Sequence, residues 1–435
     1  MAKKSEFSST FIPEAEQPYP VPDNWQWVKL STLVTPSKET TADFSSGIKY
    51  VGLEHMKTGA GIVSYGNSES VKSLKNVFYP GQILYGKLRP YLNKHDIATF
   101  SGVCSTDILV FNSNDCTSAE YINRYLDLDY FFEYILSNSK GIHLPRVTES
   151  VVLNAACPLP PLAEQQRIVD RIDGLFAKLD AARDKAQAVL DGYELRKAAI
   201  LYRAFTGELT AEWRKNKGLR LDDWKHCRFC ELCEIVRGGS PRPAGDSKYY
   251  NGTIPFMKVA DITNVPGPYV YTTKHTIKEA GLKKTRMISP NTLLLTNSGA
   301  TLGVPAICTF DTAINDGIAA FLNLNPDFIL FYYYFWLGKT KELRLINMGM
   351  AQPNLNTNII GNVEIDLPSD MEKQEIACIV DGLLSKQKQI YDMAQQAIDN
   401  IDMMKKAILG CAFRGELGTN DPAEECPEIA NLRTN

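Results

Sequence analysis

Two stretches of the chain place apolar residues at alternating steps of four and three. One series runs through positions 168–200 and the other through positions 376–408. This spacing puts the apolar side chains on one stripe of a helix and is typical of coiled-coil seams. Neither stretch contains proline, and each is followed by a glycine, as helix ends commonly are. The pattern predicts a continuous helix from Glu164 to Phe205 and a second helix like it.

The two helical stretches are copies of one sequence. LPPLAEQQRIVDRIDGLFAKLD, which begins at Leu159, returns as LPSDMEKQEIACIVDGLLSKQK, which begins at Leu367, an offset of 208 residues. Without gaps, 22 of the 51 positions from 159 to 209 are identical to their partners. An internal repeat of this kind means that both halves of the chain follow one structural plan. We therefore expect the two apolar seams to pack against each other.

The segments that precede the two helices follow a different pattern. Short runs of β-branched and aromatic residues are bounded by Gly, Pro and Asn, which indicates strands joined by turns. In the first segment these runs lie at 25–28, 48–53, 81–90 and 108–111, and a helical stretch follows at 119–137; in the second they lie at 254–259, 292–296 and 318–324, before a helical stretch at 328–345. The predicted fold class is α+β, with two similar mixed α/β domains separated by two long antiparallel coiled-coil helices, related by a pseudo-two-fold internal repeat.

Length and composition are those of an ordinary globular protein. With 435 residues, 44% of them hydrophobic and 22% charged, the chain is long enough for two or three domains. It contains no apolar run of about 18 residues, and its first residues are polar, so we expect no membrane association and a cytoplasmic location. Ten cysteines spread over this length are expected to be reduced thiols.

The formal net charge of −3 argues against a protein that coats nucleic acid without regard to sequence. The charge is unevenly distributed, however. Positions 213–365 carry 18 Lys and Arg against 12 Asp and Glu, and positions 72–94 carry five Lys and Arg and no acidic residue. Local basic faces are therefore predicted, although each, taken alone, is more typical of a solvated surface than of a binding site.

Motifs for catalysis are missing from the sequence. It has no GxxxxGK[ST] loop, no GxSxG elbow, no HExxH pair and no [ND]PPY tetrapeptide. One metal-like pattern, Cys227-x-x-Cys230-x-x-Cys233, has no ligands at its counterpart in the first repeat, which favours buried thiols over a zinc site. We expect a non-catalytic protein that has no metal and no cofactor of its own.

Several loops carry side chains that suit contact with nucleic acid. Lys and Arg reach phosphates and guanine edges, and Asn and Gln match the adenine edge. Basic surface hairpins and turn caps are the alternative explanations for such residues. The candidate DNA-binding residues are Lys87, Arg89, Asn93, Lys94, Arg146, Arg237, Ser240, Arg242, Asn297, Ser298, Gln352, Asn354 and Asn356.

The helix motifs resemble those of one protein family. PLPPLAEQQRIV from Pro158, leading to AFTGEL from Ala204, resembles the conserved regions of type I restriction-modification specificity (S) subunits. Looser matches, RGGSPR from Arg237, IPFMKVADI from Ile254 and ILYGKLRP from Ile83, resemble the frame of that family's target recognition domains. The distal copy departs from the pattern at residues 369–371, and the first 20 residues have no place in it.

The resemblance implies a domain plan and a set of partners. The partners would be double-stranded DNA, two methyltransferase (M) subunits that carry S-adenosylmethionine, and restriction (R) subunits that use ATP and Mg²⁺; the implied function is recognition of a bipartite, asymmetric DNA target. The predicted plan is an N-terminal extension (1–20), a first target recognition domain (21–157), a central helix (158–212), a second target recognition domain (213–365), a distal helix (366–417) and a tail (418–435).

Two other functional classes compete with this one. A coiled-coil adaptor that binds only protein would need no basic loops in either domain, so the positive excess over 213–365 disfavours it modestly. An enzyme such as a nuclease fused to recognition domains would need a catalytic site outside the repeat. The repeat plan uses nearly the whole chain and leaves little room for such a site.

Overall fold

The computed structural model of the chain describes two compact units. The first unit comprises residues up to 186 together with those from 396 onwards, and the second comprises 187–395. Each unit therefore includes part of both long helical stretches. The described residues are 11–42, 47–67, 73–299, 301–346 and 354–425. Gln352, a candidate DNA-binding residue, lies outside them.

The long helical stretches form where the seam pattern predicted them. The second is one helix, Asp370–Phe413. The first is two helices, Leu162–Asp191 and Tyr193–Phe205, so the predicted continuous helix is wrong at Gly192. Arg196 explains the break. Its Nη2 donates to the carbonyl oxygen of Val189 at 2.5 Å. In a continuous helix that oxygen would instead accept from the backbone N–H of residue 193. Glycine, a poor helix former, lies at the interruption.

Within each unit the two helical stretches pair in antiparallel fashion. In the first unit Lys405 Nζ lies 2.5 Å from Asp180 Oδ1, and Arg183 pairs with Asp402. In the second unit the rings of Tyr193 and Tyr391 lie 4.8 Å apart, and Arg196 Nε donates to Gln387 Oε1 at 2.8 Å. In both units the residue numbers of the contacting residues rise along one helix as they fall along its partner. The antiparallel pairing expected from the sequence is confirmed.

The first unit is a mixed α/β body. Its strands β1 to β13 are, in chain order, Gln26–Lys29, Val34–Pro36, Thr40–Thr41, Lys49–Val51, Met56–Lys57, Gly61–Ile62, Gly66–Asn67, Lys75–Phe78, Ile83–Gly86, His95–Ile97, Gly102–Cys104, Ile108–Ser113 and Ala156–Leu159. They form sheets with the strand orders β10-β9-β12-β2 and β3-β8-β11-β4-β7, and the two-stranded pairs β1-β13 and β5-β6. The unit also has short helices at Leu30–Leu33, Ala119–Tyr125, Asp129–Ser137 and Glu149–Leu153.

The second unit has the same kind of body. Its strands β14 to β24 are Lys225–Arg228, Glu234–Arg237, Tyr250–Met257, Tyr269–Val270, His275–Ile277, Arg286–Ile288, Thr292–Thr296, Pro305–Cys308, Thr312–Ile314, Ile318–Leu322 and Glu364–Leu367. They form sheets with the strand orders β15-β23-β20-β21-β17 and β18-β16-β22-β19, and the two-stranded pair β14-β24. Besides the long helices, the unit has the helices Ala211–Lys217, Phe229–Leu232, Val259–Thr263, Glu279–Leu282, the aromatic-rich Ile329–Ile346 and Thr357–Gly361.

The two units repeat one topology. In the first, β9 pairs antiparallel with β12, which pairs with β2; in the second, β20 pairs with β23, which pairs with β15. Each unit also contains a parallel pair, β4 with β11 and β16 with β22. The predicted fold class, two mixed α/β bodies with paired long helices, is confirmed. The exact domain bounds predicted from the sequence stay a prediction.

Described residues before position 21 pack on the first unit. The backbone N–H of Ile12 donates to the carbonyl oxygen of Trp27 at 2.9 Å, and Trp27 Nε1 donates to the carbonyl oxygen of Tyr19 at 3.1 Å. The rings of Tyr19 and Trp27 lie 4.8 Å apart, edge to face. This segment, which the repeat pattern did not accommodate, is therefore integrated with the sheet. No helix among the described residues is long and apolar enough to cross a membrane.

Candidate nucleic-acid interface

In the first unit, two loops that carry candidate residues lie side by side. The loop after β9 begins at Lys87, whose backbone N–H donates to the carbonyl oxygen of Asp107 at 2.9 Å. The backbone N–H of Val147 in turn donates to the carbonyl oxygen of Lys87 at 3.0 Å, and Leu88 forms an isolated β-bridge with Arg146. Positions about 60 residues apart in the chain are thereby brought together.

The second unit brings the equivalent positions together in the same way. The backbone N–H of Asn297 donates to the carbonyl oxygen of Gly317 at 2.9 Å, and that of Leu355 donates to the carbonyl oxygen of Asn297 at 2.8 Å. Ser298 forms an isolated β-bridge with Asn354. These contacts make Asn297 the counterpart of Lys87 and Asn354 the counterpart of Arg146. Of these two matched pairs, only Arg146 and Asn354 are both exposed, so an exposed cation in one unit corresponds to an exposed amide in the other.

The cations of the first unit differ in their exposure. Arg89 is exposed and has a left-handed backbone, φ 51°, at the start of a short turn of 3-10 helix. Arg146 is also exposed, and its Nε lies 3.4 Å from Asp107 Oδ1. Lys87 is half-buried. Arg89 and Arg146 are thus the charges most accessible to a phosphate or a base edge.

Asn93 and Lys94 make internal contacts. Asn93 Nδ2 donates to the carbonyl oxygen of Leu126 at 2.9 Å, and Lys94 Nζ donates to the carbonyl oxygen of Leu53 at 2.7 Å. These bonds fix the end of the loop that begins at Lys87. A direct role of Asn93 and Lys94 in DNA binding stays a prediction. The contacts observed for both residues are those of side chains that shape the loop.

Three candidate residues of the second unit converge on Asp316. Arg237 Nε donates to the carbonyl oxygen of Asp316 at 2.6 Å. Ser240 Oγ donates to Asp316 Oδ1 at 2.7 Å, and Arg242 Nη2 lies 3.5 Å from Asp316 Oδ2. Asp316 lies in the turn between β22 and β23, and its side chain is 44% exposed. The Asp316 carboxylate therefore meets Ser240 and Arg242, while its backbone carbonyl holds Arg237.

Two glycines allow the segment 237–242 to approach this turn. A Cβ atom on Gly238 would lie 2.2 Å from the carbonyl oxygen of Asn315, and one on Gly239 would lie 2.3 Å from the carbonyl oxygen of Lys284. The backbone N–H of Gly238 donates to the carbonyl oxygen of Ile318 at 3.0 Å. Only glycine fits such close backbone approaches, which gives the Arg-Gly-Gly-Ser sequence a structural reason.

The remaining amides occupy different environments. Asn297 is 1% exposed, and its Oδ1 has no hydrogen-bond partner among the residues that the structure describes. Asn354 is exposed. Asn356 Oδ1 accepts from the backbone N–H of Ile359 at 2.8 Å and caps the helix Thr357–Gly361. Within the described part of the chain, Asn354 therefore presents an exposed side chain, while Asn356 is occupied at least in part by a cap.

Two features of this surface were not recognised in the sequence. The first is the pair of turn carboxylates, Asp107 and Asp316, that meet the candidate arginines. The second is the exposure of Ile142, which is 95% exposed in a short loop closed by reciprocal backbone hydrogen bonds between Lys140 and Arg146, at 2.9 and 2.8 Å. An apolar side chain exposed beside a candidate cation can mark an interaction site. The exposed fraction of Ile142 is known only from the structure, because the amino-acid sequence does not show which apolar residues are buried.

The cysteine pattern takes no metal-like form. Cys227 is half-buried, Cys230 is exposed and Cys233 is buried. Burial raises the pKa of the Cys233 thiol to about 12, which keeps it protonated. Among the residues that the structure describes, no group of three or more His, Cys, Asp or Glu side chains is placed to hold a metal ion.

Comparison with known proteins identifies the family. The family model "Type I restriction modification DNA specificity domain" matches residues 22–190 and 221–408, one match for each copy of the repeat. The chain belongs to this family, and it is a DNA specificity subunit of the type I restriction-modification class.

Individual relatives support the assignment. The chain is 25% identical over 431 residues to the type I restriction enzyme EcoBI specificity subunit of Escherichia coli, covering 92% of this chain and 88% of that one. It is 32% identical over 199 residues to the EcoDI specificity subunit of Escherichia coli, a match that covers 45% of this chain and 44% of the relative. That second match thus spans less than half the length of the relative.

Solved structures show the same fold. An HsdS subunit from Thermoanaerobacter tengcongensis superposes with a TM-score of 0.66 at 23% identity, covering 93% of this chain and 100% of that one. A chain from a study of complex assembly and conformational transition in the type I R-M system gives a TM-score of 0.74 at 24% identity, covering 92% and 100%.

Proposed function

We propose that this chain is the non-catalytic reader of a bipartite DNA target, with each unit recognising one half of it. The observation that carries the proposal is the matched placement of two exposed candidate residues: Arg146 in the first unit occupies the position of Asn354 in the second. Arg and Lys suit guanine O6 and N7, whereas Asn suits adenine N6 and N7. Different side chains at equivalent positions imply two half-sites of different sequence, and hence an asymmetric target.

The partners follow from the same proposal. Two methyltransferase subunits would bring S-adenosylmethionine, and restriction subunits would bring ATP and Mg²⁺, while this chain would hold no cofactor and no metal. Apolar side chains exposed on the long helices support protein partners there: Leu195 and Tyr202 in the second unit are 75% and 67% exposed, and Met403 in the first is 61% exposed.

The test is co-purification of the full chain with a methyltransferase subunit of the same host, followed by mapping of adenine methylation on plasmid DNA. We expect methylation confined to one bipartite motif, and none when this chain is omitted. Arg89→Ala with Arg146→Ala should reduce methylation of that motif, whereas Lys57→Ala, an exposed lysine of the first unit, should not. A complex whose methylation does not depend on this chain would leave the protein-only adaptor as the better account.

A further inference from the structure

In both units a carboxylate in one particular turn meets a candidate DNA-binding arginine. In the first unit the turn between β11 and β12 contains Asp107, which accepts from Arg146 through its side chain and from Lys87 through its backbone carbonyl. The Asp107 side chain is 28% exposed. It therefore connects the two loops that carry the candidate cations of this unit.

In the second unit the corresponding turn contains Asp316. Its carboxylate accepts from Ser240 and faces Arg242, and its backbone carbonyl accepts from Arg237. The next residue in the chain, Gly317, lies against Ser298, since a Cβ built on Gly317 would be 3.0 Å from Ser298 Oγ. The turn thus borders both groups of candidate residues in the second unit, as the Asp107 turn does in the first.

A negatively charged side chain at a DNA-binding surface lowers the affinity for DNA of any sequence. A carboxylate repels phosphates, and nonspecific binding depends on how many phosphates the cations neutralise. A carboxylate that orients an arginine, in contrast, reduces the freedom of its planar guanidinium and presents its donors in one geometry. The net effect is weaker attraction to any DNA and a larger difference between the correct base and a wrong one.

We infer that Asp107 and Asp316 are positioning residues that set sequence discrimination, each for the half-site read by its own unit. The inference rests on the proposed function, because it concerns how the same surface chooses DNA. Asp107 acts through Arg146, and Asp316 acts through Arg242, the arginine that faces its carboxylate. Neither acid needs to touch a base itself.

Each acid should therefore affect one half of the target only. Asp316→Asn removes the charge and keeps the size, so it should raise affinity for unrelated DNA and make that affinity steeper in salt by about one phosphate contact. It should also reduce discrimination against substitutions in one half-site about tenfold, the effect of losing one well-oriented base contact. Asp107→Asn should do the same for the other half-site.

The experiment uses the full chain in complex with its methyltransferase and the duplex defined by methylation mapping. Binding is measured at two salt concentrations to four duplexes: the intact target, the target with either half replaced, and one with both replaced. Asp311→Asn is the matched control, since Asp311 is an exposed acid in the turn between β21 and β22 of the second unit. Thermal unfolding of each variant is recorded in parallel.

The expected result is a reciprocal pattern, with Asp107→Asn and Asp316→Asn each relaxing a different half and Asp311→Asn relaxing neither. The inference is overturned if both variants keep wild-type discrimination, or if either relaxes both halves equally. It is also overturned if specific and nonspecific affinity fall together with the unfolding temperature, which would indicate a structural role alone. If the wild-type complex itself does not discriminate, the proposed function fails instead.

Discussion

The imidazole of His95 lies between two oxygen atoms in the first unit: its Nδ1 is 2.7 Å from Asn123 Oδ1 and its Nε2 is 3.0 Å from Asp127 Oδ1. His95 follows the loop Lys87–Lys94 directly, and its side chain is buried. With an acceptor at each nitrogen, the arrangement suits the imidazolium form, in which both nitrogens donate. Burial by itself lowers the pKa of His95, but the hydrogen bonds and negative charge of Asp127, with Asn123 and Asp96, outweigh it and raise the pKa above its ordinary value of 6.5.

This contact predicts a pH dependence of stability. Because the folded-state pKa is raised, the stabilisation is complete below the ordinary pKa and is lost as pH rises through the folded value. The unfolding temperature should therefore fall as the pH is raised from below 6.5, the ordinary pKa of histidine, to above the raised pKa of His95. Thermal melts of wild type and His95→Gln across this range are the test.

His95→Gln should flatten the profile, because glutamine does not titrate. Nearby charges, Arg124 beside Asp127 and Lys94 in the loop, are common to both proteins and cancel in the comparison. His143→Gln, at an exposed histidine of the same unit, serves as the control and should leave the wild-type slope. Equal slopes in wild type and His95→Gln would contradict the imidazolium assignment.

A buried ion pair in the second unit predicts a large stability effect. Glu372, at the start of the long helix Asp370–Phe413, is 1% exposed and accepts from Arg214 at 2.6 Å, Thr210 at 2.7 Å and Trp224 at 3.0 Å. Glu372→Gln leaves Arg214 buried with no opposite charge, which should cost about 3–5 kcal/mol. Denaturant unfolding followed by tryptophan fluorescence would measure it.

The control for this prediction is an exposed pair in the same unit. Arg228 and Glu231 lie 3.1 Å apart, with side chains about half exposed, so Glu231→Gln should change the free energy of unfolding by less than about 1 kcal/mol. If Glu372→Gln and Glu231→Gln lower the free energy of unfolding by similar amounts, burial of the Arg214–Glu372 pair does not determine its effect on stability.

Much of the fold follows from sequence patterns because those patterns are local. The seam of the long helices and the strand run Thr292–Thr296 depend on period and residue type, and both were located correctly. The break at Gly192 was not, because it depends on a side chain, Arg196, that takes a backbone acceptor seven residues away. The helical stretch 119–137 likewise divides into Ala119–Tyr125 and Asp129–Ser137, which places Asp127 in the turn beside His95.

The candidate site was only partly predictable for the same reason. Arg237 and Arg242 were found because they lie in a loop-forming glycine segment. Asp316, to which they turn, belongs to no motif, and its contact with them arises from strands distant in sequence. Lys94 looks like a surface charge in sequence, yet it donates to a backbone carbonyl. Residue type predicts which side chains can bind DNA, whereas the fold decides which are available.

The close approach of Gly238 to the Asp316 turn predicts sensitivity to one methyl group. Gly238→Ala would place a Cβ atom 2.2 Å from a backbone oxygen of Asn315. Since backbone cannot move aside as a flexible side chain can, the variant should lose about 1–3 kcal/mol of stability and displace Arg237. Gly267→Ala, where the added Cβ meets nothing within 4 Å, should be nearly neutral. Thermal melts and DNA-binding assays of both variants test this, and equal behaviour would mean that the approach is not restrictive.

Ile142 predicts an effect on binding without one on folding. At 95% exposure it buries almost no surface, so Ile142→Ala should change stability by less than about 0.5 kcal/mol. Its loop is held rigidly by the Lys140–Arg146 backbone pair, beside a candidate cation, and apolar side chains so placed can pack on thymine methyls or between base steps. We therefore expect Ile142→Ala to weaken target binding by roughly tenfold, about 1.4 kcal/mol, in a titration with the mapped duplex. Ile142→Met should retain most of the affinity because it preserves the apolar volume, whereas wild-type affinity in Ile142→Ala would exclude Ile142 from the interface.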